Sequence, residues 1–219
     1  MTRLIVYDLD GTLVDSAQMV SAILNEMRLQ QGLSLCAPET LTPWLSLGGE
    51  DLIRHALEVR DDSKIIEYLN EFRRRYFLKP TDPHTVYPGV QAVLERIRDQ
   101  GFFMAICTNK PRRLALKVLE ESGIHDFFGF VNAGGDLPSK KPDAGNLQAC
   151  LDFFSVKRDE ALLVGDSTVD QTMAQRAQVP FVFFKGGYDD GVDERHVWQV
   201  IEHHGELLPC IRFEEEAFS

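Results

Sequence analysis

Four short clusters in this chain carry side chains able to handle a phosphate and a metal ion. They are Asp8 and Asp10 in YDLDGT, Thr108 and Asn109 in ICTNKP, Lys140 and Lys141 before Pro142, and Asp166 and Asp170 in GDSTVD. Carboxylates supply hard oxygen ligands, which suit Mg²⁺, a cation that keeps several waters and shares the oxygens of a substrate. A lysine beside them would, with the metal, offset phosphate charge and stabilise the transferring group. The spacing of the first pair divides the work further. Asp8, ionised, could attack phosphorus, while Asp10 could protonate the leaving oxygen and then activate water against the aspartyl-phosphate.

Each cluster alone has an ordinary structural reading. A DxDGT run can be a turn closed by an Asx hydrogen bond, and Thr108 can cap or close a turn at a strand end. Lys141 can be a solvated surface lysine, and Ser167 with Asp170 has the spacing of a helix cap. The conjunction favours chemistry, because four separate segments each carry the residue type that a phosphate site requires.

The elements that must position these residues can be read from periodicity. Residues 4–7 form a short apolar run ended by Asp8, which reads as a buried strand. Residues 16–79 change to helical period: Val20, Ile23, Leu24 and Met27 share one face, as do Ile65, Leu69, Phe72 and Tyr76, with a short helix around Leu52 to Leu57 between them. After Pro88 helix and strand alternate, with strands expected at 102–107, 127–131, 161–164 and 181–184, and helices at 90–100, after Pro111, at 146–154 and at 168–177. Repeated strand–helix units imply a parallel sheet with helices on both faces, and such sheets hold ligands at the C-terminal ends of their strands. The expected architecture is α/β, a three-layer Rossmann-like core made of residues 1–15 and 81–219 with an all-helical cap inserted at 16–80.

Composition narrows the partners. The 219 residues are 44% hydrophobic and 26% charged, ordinary for a globular chain long enough to bury a sizeable core. The formal charge of −11 speaks against a nucleic acid or an anionic membrane as partner. The four cysteines are dispersed and form no CxxC pair, which argues against a zinc site or a disulfide scaffold and fits a reducing compartment. The first ten residues have neither the apolar length of a membrane span nor a cleavage signal. A cytoplasmic enzyme acting on a small-molecule phosphate ester, as monomer or homodimer, is expected.

The order and wording of the clusters resemble the haloacid dehalogenase superfamily: DLDGT at 8–12, ICTN at 106–109, KKP at 140–142 and GDSTVD at 165–170. The resemblance implies that Asp8 is the nucleophile and Asp10 the general acid/base, binding Mg²⁺ only through its main-chain carbonyl. It implies that Thr108 and Asn109 hold the phosphoryl oxygens and that Lys141 bridges phosphate and nucleophile. Asp166 would be the second metal carboxylate, and Asp170 would ligate through water or fix Lys141. The aspartate at position 10 also separates phosphatases in this superfamily from dehalogenases and phosphonoacetaldehyde hydrolases.

A finer resemblance is to the phosphoglycolate phosphatase branch, carried by YPGV at 87–90, TNKP at 108–111, GGDLPSKKP at 134–142, LGGEDLIRHAL at 47–57 and GGYDDG at 186–191. It implies a helical cap between the first two motifs. Within that cap Gly48 and Gly49 could form a loop dipping toward the site, and Arg54 and His55 could meet a substrate carboxylate, although an exposed helix arginine is the commoner outcome. Gly48 and Gly49 could equally end one helix and begin the next. Two positions depart from the branch: Ala144 where a second proline is common, and Gln178 where a glycine usually precedes Val-Pro. A phosphomutase resembling β-phosphoglucomutase would share Asp8 and Asp10, but usually has a histidine in the first cap helix, and 16–31 contains none. A non-catalytic ligand-binding relative would be expected to lose Asp8, Asp10 or Lys141, and all three are present.

Overall fold

In the computed structural model, residues 2–45 and 49–211 are described. The chain opens with β1 (Leu4–Tyr7), four buried residues with apolar side chains in sequence. Four helices follow: α1 (Ala17–Gln30), α2 (Pro38–Leu45), α3 (Gly49–Ala56) and α4 (Ile65–Leu78), with no strand between them among the described residues. α1 buries Val20, Ile23, Leu24 and Met27, and α4 buries Ile65, Leu69, Phe72 and Tyr76, the two faces that the spacing predicts. Periodicity does not anticipate α2. Threonines and a proline within PETLTPWL are weak helix formers, so local propensity gives no sign of it.

From α5 (Val90–Asp99) the alternation begins: β2 (Phe103–Pro111), α6 (Arg112–Glu121), β3 (Phe130–Gly134), α7 (Ala144–Phe154), β4 (Ala161–Gly165), α8 (Thr168–Ala177), β5 (Phe181–Phe184) and β6 (Gln199–Ile201). A 3₁₀ segment, His204–Cys210, follows. The six strands form one sheet, all paired parallel, in the order β3-β2-β1-β4-β5-β6. β3 lies three residues later than expected. Phe127 closes a 3₁₀ turn, and Phe128 turns its ring edge-on to Tyr7 at 6.1 Å instead of entering the sheet.

Alternate residues of each central strand feed opposite apolar layers, as the two-residue period of a strand requires. Leu4 and Val6 of β1 and Leu163 of β4 join Leu147, Leu151 and Met173 on one face. Ile5, Tyr7, Leu162 and Val164 join Val93, Ile97, Leu114 and Val118 on the other. That second layer continues without a break into Leu52, Ile53, Leu69 and Phe72 of the helical segment. The segment leaves and returns through neighbouring strands of chain: Val14 forms an antiparallel bridge with Val86, and the Tyr87 N–H donates to the Leu13 carbonyl at 3.0 Å. No described helix is long and apolar enough to cross a membrane.

This order fixes where the site lies. The chain builds outward to β3 on one side of β1 and then starts again at β4 on the other. The reversal therefore falls between β1 and β4, where open α/β sheets leave a crevice at the strand ends. The Asp8 N–H donates to the Val164 carbonyl at 2.9 Å, locking the end of β1 against the end of β4.

Candidate active site

Asp8 follows β1, Asp166 follows β4, Asp170 sits in the first turn of α8, and Lys141 stands in the loop before α7. All four are buried. Carboxylate oxygens of the three aspartates lie within 4.8 Å of one another. The Lys141 ammonium stands 2.7 Å from both Asp8 Oδ1 and Asp170 Oδ1.

The carboxylates are held by the sequence around them. Thr12 Oγ1 donates to Asp166 Oδ1 and the Tyr188 N–H to its Oδ2, both at 2.8 Å. Gly11 makes that approach possible: it sits at φ +85°, and a Cβ there would strike the Asp166 carboxylate. Ser167 caps α8, accepting the Asp170 N–H, and its hydroxyl donates to Asp170 Oδ2 at 2.6 Å. The capping reading of this pair therefore holds, and the same Asp170 carboxylate also meets the Lys141 ammonium.

The charges do not balance. Three buried carboxylates face one ammonium in a medium that punishes uncompensated charge. Burial, opposed by Lys141 and assisted by repulsion from Asp170, pushes the Asp8 carboxyl up to about 7. Burial and the nearness of Asp8 and Asp170 likewise hold Asp166 well above the usual carboxylate range. For Lys141, burial pulls downward, but the attraction of Asp170 and Asp8 outweighs it and keeps the ammonium protonated. Asp8 Oδ1 has the Lys141 ammonium as its partner, and that one ammonium is shared with Asp170. Hard oxygen donors within 4.8 Å of one another and an excess of negative charge fit a divalent cation between Asp8 and Asp166.

Asp10 faces away from this cluster. Its carboxylate accepts from Lys110 Nζ at 2.9 and 3.0 Å and from Ser16 Oγ at 2.6 Å. It lines a cavity of about 70 Å³ whose apolar side is Val20, Leu52, Phe72 and Leu114 and whose polar side also includes Ser16, Tyr76, Asn109 and Lys110. Thr108 is buried at the end of β2, where its Oγ1 accepts the Lys110 N–H at 3.1 Å. The Asn109 side chain, expected at the phosphate, is turned to the main chain of Lys141.

Of the two readings of the cap residues, the structure shows the surface one for Arg54. Arg54 pairs with Asp62 on the surface, and His55 stacks on Trp44 with ring centroids 3.6 Å apart; neither lines the cavity. Gly49 opens α3 and does line it, while Gly48 lies outside the described residues. Sequence reasoning misses Lys110, Ser16, Tyr76, Tyr188 and His204 as residues of the site. Lys110 and Tyr188 sit inside motifs quoted above, which is the available signal. The others reach the site only through the fold.

Comparison with known proteins agrees with the geometry. The profile of the haloacid dehalogenase-like hydrolases matches residues 5–184. The phosphoglycolate phosphatase of Cereibacter sphaeroides is 33% identical over 95% of this chain and 97% of its own length. That of Pseudomonas putida is 34% identical over 95% of this chain and 79% of its own. A crystal structure of a predicted phosphoglycolate phosphatase from Haemophilus somnus superposes with a TM-score of 0.86 at 23% identity, covering 96% of this chain and 98% of that one. CbbY from Rhodobacter sphaeroides, solved in complex with phosphate, gives 0.76 at 18% identity over 94% and 96%; at such identities these two likenesses concern the fold. With the profile spanning most of the chain and its motifs meeting at one crevice, this protein belongs to the haloacid dehalogenase-like hydrolase family.

Proposed function

We propose that the protein is a Mg²⁺-dependent phosphomonoester hydrolase that works through a phosphorylated Asp8, with 2-phosphoglycolate or a similarly small phosphorylated acid or sugar as substrate. The observation that carries this reading is the buried set Asp8, Asp166, Asp170 and Lys141 at the sheet's reversal point. The names of the relatives support the substrate. Asp8, Asp166 and the main-chain carbonyl of Asp10 would hold Mg²⁺, which would supply positive charge to offset the carboxylates and the phosphate.

The remaining work belongs to side chains. One oxygen of Asp8 attacks phosphorus as the ester bond breaks. Lys141, kept protonated by Asp8 and Asp170, accompanies the phosphoryl oxygens, with Thr108 on another side. Asp10 gives a proton to the leaving oxygen and then takes one from the water that hydrolyses the acyl phosphate. Residues 16–80 serve as a cap that shields the site during the first half-reaction and admits water for the second, pivoting where Val14 pairs with Val86.

Phosphate release from a panel of small esters, with Mg²⁺ and after exhaustive chelation, tests the proposal. Release from 2-phosphoglycolate that disappears with the metal and returns on its restoration is expected. Full turnover in the chelated protein would refute it.

A further inference from the structure

We infer that Lys110, together with the Tyr76 hydroxyl, is the receptor for the carboxylate of a short phosphorylated acid. The inference rests on the hydrolase reading above and deepens it, assigning to named residues the part of the substrate that is not phosphate. Lys110 is the cation at this site that the phosphate motifs leave unused. Its side chain is only 7% exposed. Its ammonium lies 4.4 Å from the centroid of the Tyr76 ring and pairs with both oxygens of Asp10. A buried ammonium needs an anion beside it at every stage of a cycle. With both Asp10 oxygens on Lys110, neither is open to a leaving group, so the two must part and Lys110 must meet another anion.

The surroundings indicate what replaces it. The cavity beside Lys110 is about 70 Å³; Asp10, Ser16, Asn109 and Tyr76 share its polar end with Lys110, and Val20, Leu52, Phe72 and Leu114 form its apolar side. That space admits a leaving group of a few heavy atoms and excludes a nucleoside or a second sugar ring. Tyr76 is 1% exposed and lines the same cavity. Its hydroxyl is within hydrogen-bonding reach of Lys110 and Ser16, but makes no fully aligned bond among the described residues. An ammonium and a hydroxyl with no settled partner at the polar end of a small cavity match the two oxygens of a carboxylate. Val20, Leu52 and Phe72 of the helical segment enclose the one or two carbons between.

Binding would then exchange partners. The incoming carboxylate draws Lys110 Nζ away from Asp10. Asp10 keeps the Ser16 hydroxyl on Oδ1, and its Oδ2, which among the described residues has Lys110 as its one side-chain donor, is released to face the leaving oxygen. An ester with a neutral tail leaves Lys110 where it is and both Asp10 oxygens covered. Selectivity therefore enters kcat as well as KM.

The test compares 2-phosphoglycolate with ethyl phosphate, which has the same two carbons and no carboxylate. The readout is the ratio of their kcat/KM values, in which any general effect on Asp10 cancels. The wild-type ratio is expected to favour the acid, and Lys110→Met is expected to lower it roughly 10- to 100-fold. Tyr76→Phe removes only the hydroxyl, keeps the test open should Lys110→Met fail to fold, and is expected to lower the ratio several-fold. A ratio unchanged in either folded variant overturns the assignment of that residue. A wild type that hydrolyses both esters equally overturns the receptor while leaving the hydrolase reading intact; one that hydrolyses no phosphate ester overturns both.

Discussion

The side-chain amide of Asn109 holds the main chain of Lys141 at both ends. Its Nδ2 donates to the Lys141 carbonyl at 3.2 Å, and its Oδ1 accepts the Lys141 N–H at 2.8 Å. Asn109 thereby sets the position of the loop that aims the ammonium at Asp8. Asn109→Ala removes both bonds, and losing a part-buried pair of this kind costs about 1–3 kcal/mol. A fall in kcat of roughly 5- to 100-fold is expected, with a smaller change in KM. Steady-state kinetics on 2-phosphoglycolate check this; a kcat equal to that of the wild type would mean that Lys141 is positioned without Asn109.

Asp8 and Asp10 separate by experiment. Asp8→Asn replaces the nucleophile with an amide and is expected to abolish turnover while the melting temperature stays at or above that of the wild type, since a repelling buried charge is removed. Asp10→Asn is expected to slow turnover by about 10²- to 10⁴-fold, the usual share of a general acid/base. If Asp8→Asn kept substantial activity, direct attack by water would be the better account.

His204 links stability to pH. Its Nε2–H donates to the Thr12 carbonyl at 2.8 Å, its ring lies 4.5 Å from that of Phe184, and it is 1% exposed. Burial pulls the imidazole down from 6.5 to about 4. Between those values the unfolded chain binds the proton and the folded one does not, so stability is full above the unfolded value and is lost as pH falls toward 4. The share assigned to this group is about 3 kcal/mol. Urea melts at pH 7 and pH 4.5 should show a smaller acid-induced loss in His204→Gln than in the wild type. Equal losses would show that His204 does not carry the effect.

Gln178 gives a prediction about the departure noted in sequence. It ends α8 in the left-handed region, φ 56° and ψ 41°, where related sequences usually have glycine. A side chain in that conformation costs roughly 1–2 kcal/mol, and glycine's extra freedom in the unfolded chain returns about half of it. Gln178→Gly is expected to stabilise the protein by about 0.5–1 kcal/mol, although it also removes the exposed hydrogen bond that Arg158 donates to the Gln178 side chain. Calorimetry decides the sign. The other departure is structurally mild, since Ala144 occupies the first position of α7, where proline is favoured but not needed.

The fold and the central cluster were largely legible because both are written locally. Runs such as Leu4–Tyr7 and Phe181–Phe184 have few alternatives to a buried strand, and each motif ends such a run. Other features were not legible. β6 is three residues long and only partly buried, so it carries no usable alternation. Lys110 lies inside the TNKP motif, but its pairing with Asp10, one hundred positions away, is set by the fold. Arg54 had a carboxylate reading and a surface reading by residue type alone, and its pairing with Asp62 decides for the surface.

The antiparallel bridge between Val14 and Val86 has a consequence for how such an enzyme can be altered. A helical unit whose two ends are clasped side by side is, to the sheet, no more than a long loop already closed. Closing such a loop depends weakly on its length, each doubling costing only about 0.6 kcal/mol. The interval between 15 and 85 can therefore accept a foreign helical unit without unmaking the strands, provided the graft offers an apolar face to Leu114. If that interval chooses the ester, as proposed above, exchanging it while keeping a hydroxyl where Ser16 meets Asp10 would re-aim one set of reacting residues at a new family of esters, a change of appetite without a change of chemistry.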